Sequence, residues 1–110
     1  MLASKVTVHI IRYFDSSFLY NKEETLGRVI EAEVAKGKVA RRDLFVLSKL
    51  PQNGMKPETV ERFLLKSLTR LRLDYLDMYL IHFPTGTINN GNDENTYPLD
   101  NEGFLMQVVQ

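Results

Sequence analysis

The sequence predicts an α/β fold built on a parallel sheet, with about three strands that alternate with helices. Two observations carry this prediction. Apolar segments typical of strands alternate with segments in which apolar residues recur at helical spacing, and such alternation is typical of right-handed βαβ units. The residues expected at the strand ends, Asp15, Lys49 and His82, follow one another at intervals of 34 and 33 residues, roughly the length of one βα unit.

The first strand is expected over residues 10–15, in which β-branched and aromatic residues predominate and which lead into the polar pair Ser16 and Ser17. A helix should follow, with Asn21 as its N-cap and Gly37 just beyond its end. Its apolar face recurs at helical spacing and comprises Leu26, Val29, Ile30 and Val34.

The second strand is expected at residues 44–47, a short continuous apolar run typical of a parallel strand buried on both faces. A turn at residues 51–54 should lead into a second helix, because Pro57 suits the first helical position. The apolar face of that helix comprises Val60, Phe63, Leu64, Leu68 and Leu71.

The third strand is expected over residues 75–82, before Pro84, because proline supplies no backbone donor to a ladder. Within this apolar run Asp77 is expected to have a structural role, with a backbone partner. Residues 85–110 are mostly loop, since Gly, Asn, Asp and Glu dominate their first part and no period follows. A calcium site in this loop is rejected, because Tyr97 stands at a ligand position of the EF-hand pattern and its glycine is lacking.

Composition limits the class of protein. The 110 residues carry 14 basic and 14 acidic side chains, a net charge of +0, and 44% are hydrophobic, which suits one globular domain. No clustered basic surface favours nucleic acid or a membrane. The absence of cysteine excludes disulfides, thiolate zinc sites and cysteine nucleophiles. No apolar run reaches the roughly 20 residues of a membrane span. We expect a cytoplasmic protein without a metal.

The three strand ends carry ionisable side chains to the carboxyl edge of one sheet, where α/β folds bind their ligands. Asp15, Lys49 and His82, with Tyr20 in the first loop, form a proton-transfer set. A tyrosine hydroxyl gives up its proton more readily beside an ammonium group, and a carboxylate can hold that ammonium in place. Histidine could orient a substrate carbonyl. The set contains no reductant, so a hydride source must be external.

At these residues the sequence resembles the aldo-keto reductase family. One segment, residues 12–27, reads Arg-Tyr-Phe-Asp-Ser-Ser-Phe-Leu-Tyr-Asn-Lys-Glu-Glu-Thr-Leu-Gly, with an aspartate and a tyrosine five residues apart. Residues 47–50, 73–84 and 97–103 are similar to three further family segments, which carry the lysine, the histidine and the loop that follows. The resemblance runs from about Arg12 to Gly103, and the first 11 residues are expected to be foreign to the family pattern.

The resemblance implies a (β/α)8 barrel that reduces aldehydes and ketones with NADPH. It implies that Tyr20 is the general acid, that Lys49 and Asp15 tune it, and that His82 orients the carbonyl. By the same resemblance Asp15 lies near the nicotinamide ribose, and Tyr20, His82 and Phe83 contact the substrate. A full-length parent would be a monomer.

A complete barrel of this type needs roughly 250 residues. The 110 residues match strands 2 to 4 only, so residues 1–110 are interpreted as an incomplete aldo-keto reductase domain, a partial (β/α)8 barrel. The family's amide contacts, stacking tyrosine and phosphate-binding segment have no counterpart, and the chain alone is therefore expected to be inactive. The alternative is a truncated isoform or fragment that acts only through protein association, because three strands leave unpaired sheet edges.

Overall fold

The computed structural model describes residues 12–107, which form a three-stranded parallel sheet with two helices. The elements in chain order are β1 (Tyr13–Asp15), α1 (Glu23–Ala35), β2 (Phe45–Leu50), α2 (Pro57–Leu71) and β3 (Met78–Ile81). Strand β2 lies between β1 and β3 and is parallel to both. The predicted order of strands and helices is confirmed, except that residues 10 and 11 of the first expected strand lie outside the described residues.

Strand β2 is the centre of the sheet, and four of its six side chains are buried, with Val46 on the helix-covered face and Leu47 on the other. Its register sets Leu47 beside Asp15 of β1 and Lys49 beside Leu80 of β3. The polar ends of the strands therefore lie at the same edge of the sheet.

Helix α1 begins later than the sequence predicts. Asn21 adopts a left-handed conformation, with a φ of 54°, and its backbone N–H donates to the carbonyl of Phe18, which closes the preceding 3-10 turn. Lys22 is consequently the N-cap, and the prediction for Asn21 is wrong. At the other end Gly37 has a φ of 76° and donates to the carbonyl of Val34, which confirms its predicted place just beyond the helix.

Helix α2 begins at Pro57, as predicted, and ends where Arg72 turns into the left-handed region with a φ of 57°. It approaches α1 at Gly27, where an added Cβ would lie 2.6 Å from the carbonyl oxygen of Arg70. Only glycine fits there without moving a helix. The close approach brings the apolar sides of both helices onto the sheet.

The core consists of two buried groups of side chains on the helix-covered face of the sheet. One group surrounds Val46 and the other surrounds Phe63. Their buried members are Ile30, Leu44, Val46 and Leu71 in the first, and Phe18, Leu50 and Phe63 in the second. Val29 belongs to neither, because it lies on the outer side of α1 and is about half exposed, so its predicted place on the apolar face is wrong.

Strand β3 is shorter than predicted, because the chain from Tyr75 to Asp77 is used for side-chain contacts with the other end of β2. The Asp77 carboxylate accepts from the backbone N–H of Val46 at 2.8 Å and from Arg41 at 3.0 Å. Arg41 also donates to the carbonyl of Tyr75 and lies 4.0 Å from the centre of its ring. The expected structural role of Asp77 and its backbone partner are confirmed.

After Pro84 the described chain, to residue 107, contains two isolated antiparallel bridges and otherwise turns. The segment is anchored on the rest of the fold near Asn53, whose side-chain amide donates to the carbonyls of Asp93 and Asn95. In the part of the chain that the structure describes, no helix is long and apolar enough to cross a membrane.

Candidate active site

Four side chains predicted from the sequence meet at the carboxyl edge of the sheet. Asp15 is the last residue of β1, Lys49 lies near the end of β2, and His82 follows β3 directly. Tyr20 ends the 3-10 turn after β1, and its backbone N–H donates to the Ser17 hydroxyl at 3.2 Å. Ser17 is buried, so this hydrogen bond holds the 3-10 turn that carries Tyr20 against the interior of the fold.

Lys49 contacts Asp15 and Tyr20 of the site with its ammonium group. Its ammonium donates to the Asp15 carboxylate, to the backbone carbonyl of Ser16 at 3.0 Å and to the Tyr20 hydroxyl at 3.4 Å. The Lys49 side chain is 14% exposed, whereas the Asp15 side chain is 54% exposed. The Lys49 ammonium is therefore held by the Ser16 carbonyl and by the Asp15 carboxylate, while the rest of that carboxylate is exposed.

His82 completes the cluster through its ring. The imidazole meets the Tyr20 ring edge-to-face, with ring centres 5.6 Å apart and planes at 86°. On its other side Phe83 stacks at 4.6 Å and 15°. The Nδ1 atom of His82 is buried and has no hydrogen-bond partner within residues 12–107. Two rings thus restrict how the imidazole can turn.

The electrostatics of the site follow from burial and from the lysine. Burial lowers the pKa of Lys49, but its hydrogen bonds with Asp15 and Tyr20 outweigh burial, so the pKa is raised and the group stays charged. Burial and then the nearby Lys49 charge lower the pKa of His82, against the opposing influence of Asp15. At neutral pH the site pairs a charged lysine with a neutral imidazole.

A buried polar group on the opposite face of the sheet was missed by sequence reasoning. Ser48 donates to the Glu23 carboxylate at 2.8 Å, and both residues are almost fully buried. Burial and then the Glu23 charge raise the pKa of Tyr79, whose hydroxyl is buried without a hydrogen-bond partner in the described residues. The signal was a serine inside the apolar run of β2, next to Lys49.

An open groove of about 620 Å³ begins at the site and follows the free side of β1 and α1. It runs from Asp15 and Tyr20 towards Val29, and its lining is Asp15, Ser16, Tyr20, Lys22, Thr25, Leu26 and Val29. Among residues 12–107 no group of His, Cys, Asp or Glu side chains is arranged to hold a metal ion.

Comparison with known proteins identifies the family of the chain and its class of fold. The model of the Aldo/keto reductase family matches residues 3–103. Human aldo-keto reductase family 1 member C1 is 42% identical over 105 residues, which cover 94% of this chain and 32% of that protein. Bovine dihydrodiol dehydrogenase 3 is 44% identical over 92 residues, which cover 84% of this chain and 28% of the relative.

Solved structures agree. An aldose reductase from Schistosoma japonicum superposes with a TM-score of 0.84 at 30% identity, over 96% of this chain and 34% of that one. An aldo-keto reductase from Bombyx mori in complex with NADP gives a TM-score of 0.69 at 40% identity, over 72% of this chain and 26% of that one.

The chain belongs to the aldo/keto reductase family, an oxidoreductase family. Its three strands and two helices correspond to part of a (β/α)8 barrel. The chain spans about a third of the length of the curated relatives it matches. The family match begins at residue 3, so the expectation that the first 11 residues are foreign to the family is wrong.

Proposed function

We propose that this chain supplies the proton-transfer site of an NADPH-dependent reductase that converts aldehydes or ketones to alcohols. The observation that carries the proposal is the contact of the Lys49 ammonium with both the Asp15 carboxylate and the Tyr20 hydroxyl, beside the His82 ring. Residues 1–110 are, in this proposal, one part of the reductase domain, and the cytoplasm is its compartment.

Tyr20 is the proposed general acid. Its hydroxyl is more accessible than Lys49, since Tyr20 is about half exposed, and can reach a carbonyl oxygen placed at the sheet edge. The Lys49 ammonium stabilises the phenolate that remains after proton transfer, and Asp15 holds the ammonium. The neutral imidazole of His82 can hydrogen-bond the carbonyl oxygen and orient it, while Phe83 supplies an apolar wall.

The residues fit part of an NADPH site. Asp15 uses one carboxylate oxygen on Lys49 and is otherwise exposed, so it can accept a hydrogen bond from a ribose hydroxyl. NADPH, when bound, supplies the hydride that this group of side chains lacks. Tyr20, His82 and Phe83 are the proposed substrate contacts, around a small aldehyde or ketone.

The test is a complete barrel in which residues 3–103 replace the matching segment of the human relative. There Tyr20→Phe should lower kcat/KM for a generic aldehyde by about 10²–10⁴-fold, the usual contribution of a general acid, while NADPH affinity stays nearly unchanged. Tyr75→Phe is the control, because that partly exposed ring lies at the other end of the sheet. Wild-type turnover in Tyr20→Phe would remove this residue from the acid role.

The chain on its own is proposed to bind NADPH weakly and to reduce no aldehyde at a useful rate. Hydride transfer requires the nicotinamide and carbonyl to be held in near-attack geometry, and the site is open on the side of the groove. Nucleotide fluorescence titration and NADPH oxidation with purified chain measure both properties. Saturable binding with turnover would contradict this proposal.

A second candidate function is association through the sheet. Strands β1 and β3 each pair on one side only within the described residues, and β3 exposes Met78, Leu80 and Ile81. Unpaired edges with apolar side chains favour pairing with another chain. In this case the protein would act by binding, and the oligomeric state of the chain is the measurement that distinguishes the two functions.

A further inference from the structure

The chain contains two Asn-Gly pairs, at residues 53–54 and 90–91. An asparagine followed by glycine can lose ammonia, because the glycine nitrogen, unhindered by a neighbouring Cβ, can attack the side-chain carbonyl of the asparagine. Whether this happens in a folded protein depends on how freely both groups can move. The two pairs lie in opposite surroundings.

The first pair is locked. Asn53 is 2% exposed, and its side-chain amide donates to the carbonyls of Asp93 at 3.0 Å and Asn95 at 3.2 Å. The attacking atom is also engaged, because the Gly54 N–H donates to the carbonyl of Pro51 at 3.0 Å. Gly54 is further enclosed, since an added Cβ would lie 2.5 Å from the Phe63 ring.

The second pair is open. Asn90 and Gly91 are both exposed, and Gly91 has a φ of 97° with nothing within 4 Å of an added Cβ. The Gly91 N–H donates to the side-chain oxygen of Asn89 at 2.9 Å, but this contact is exposed, so water can replace it when the nitrogen attacks, unlike the enclosed contact of Gly54.

A further contact favours attack at Asn90 itself. The backbone N–H of Asn92 donates to the side-chain oxygen of Asn90 at 3.1 Å. This oxygen gains negative charge when the carbonyl carbon is attacked, and a donor placed at such an oxygen stabilises the intermediate. The turn therefore polarises the carbonyl that reacts.

We propose that Asn90 is a site of spontaneous deamidation in the folded protein. The Gly91 nitrogen forms a bond to Cγ of Asn90, the bond from Cγ to the side-chain nitrogen breaks, and ammonia leaves with the proton of the Gly91 amide. One water then opens the succinimide at either carbonyl and gives aspartate or isoaspartate. No oxidant or reductant is needed.

The product changes the segment that is anchored on α2. A new carboxylate appears three residues before Asp93, which is already held by Arg62 and Lys66. Isoaspartate also lengthens the backbone by one methylene group between residues 90 and 91. Either product alters the series of turns through which Asp93 reaches the helix.

The test is incubation of the full chain at mildly alkaline pH, folded and in urea, followed by trypsin digestion and mass spectrometry. Residues 50–62 and 73–110 form separate tryptic peptides, and fragmentation locates the modified asparagine. In the folded chain Asn90 should react within about threefold of its rate in urea, whereas Asn53 should be slowed by about tenfold or more, since it reacts only after local opening. Equal protection of both, or faster reaction at Asn53, would overturn the proposal.

A matched pair of variants tests the donor. Asn92→Pro removes the backbone N–H that faces Asn90, while Asn92→Ser keeps it. The ratio of folded to urea rates at Asn90 should fall about threefold or more in Asn92→Pro and stay unchanged in Asn92→Ser. The same ratio in both variants would show that the Asn92 N–H does not assist the reaction, which would contradict the proposed polarisation of the Asn90 carbonyl.

Discussion

At the scale of single residues, Lys49 decides the electrostatics of the site. Its ammonium is held by Asp15 and by the carbonyl of Ser16, so its positive charge stays at a fixed place close to the His82 ring. A fixed positive charge and partial burial both disfavour an imidazolium. The neutral state of His82 is therefore a consequence of partial burial and of the lysine charge.

This gives a direct prediction for the imidazole. In NMR titration of the chain, the pKa of His82 should lie below its ordinary value, because burial and then Lys49 lower it. Lys49→Met should raise that pKa, since it removes the nearby charge and leaves the opposing Asp15 carboxylate. His9→Gln assigns the two histidine signals.

Lys38→Met is the control, as Lys38 is an exposed lysine beyond the far end of α1. A histidine whose pKa is lowered on folding contributes fully above its unfolded pKa, and the contribution falls as pH drops below about 6.5. An unchanged His82 titration in Lys49→Met would refute the assigned role of the lysine charge.

At the scale of elements, Asp77 joins β3 to β2 by a side chain. Its carboxylate accepts hydrogen bonds from the Val46 N–H and from Arg41. Val46 lies just before the first residue of β2 that pairs with β3. The contact fixes where β3 begins and thus where its other end delivers His82. Asp77 was predictable as a structural acid, because it interrupts an apolar run, but Arg41, 36 residues away, was not.

Asp77→Ala should destabilise the chain by about 1–3 kcal/mol, the usual cost of losing hydrogen bonds to a charged group. The Val46 N–H and then Arg41 lower the pKa of Asp77, against the opposing effect of burial. Its contribution should be present above about pH 4 and be lost as pH falls through the lower folded value. Urea unfolding at several pH values measures this, with exposed Asp74→Ala as the control. Equal unfolding midpoints for both variants would contradict it.

A second element-scale contact fastens the loop after β3 to α2. The Asp93 side chain is 10% exposed and accepts from Arg62 and Asn89, with Lys66 at 2.8 Å. The Arg62 hydrogen bonds, opposed by burial and helped by Lys66, hold the pKa of Asp93 well below its usual range. The carboxylate therefore stays charged except in strong acid.

Asp93→Asn should release this loop and cost about 1–2 kcal/mol. Hydrogen exchange should speed up at the backbone N–H of Thr87 and Asn95, which donate to Gln52 and Asn92. Glu94→Gln is the matched control, because the Glu94 side chain is 56% exposed and its pair with Arg70 is worth no more than about 1 kcal/mol. Faster exchange in the control than in Asp93→Asn would reverse the assignment.

At the scale of the whole molecule, strand order and the site were predictable because both depend on repeated local signals. The intervals between Asp15, Lys49 and His82 mark equivalent ends of βα units, and parallel pairing brings such ends to one edge. Asn21 and Val29 were assigned wrongly because the conformation of the first and the exposure of the second depend on packing that local sequence does not show. A 3-10 turn takes Asn21, and Val29 lies outside both core groups.

The open face of the sheet leads to the final prediction. Met78 and Leu80 are exposed on this face of β3, whose outer edge has no partner strand in the described residues. Burial of such side chains against a second copy is favourable, so the mass measured by light scattering should rise with concentration. Met78→Lys should weaken association by about tenfold or more, because a lysine charge is costly to bury, whereas Leu65→Lys on the outer side of α2 should leave it unchanged. A single monomeric mass at all concentrations, or equal weakening by both variants, would show that this edge is not where copies meet.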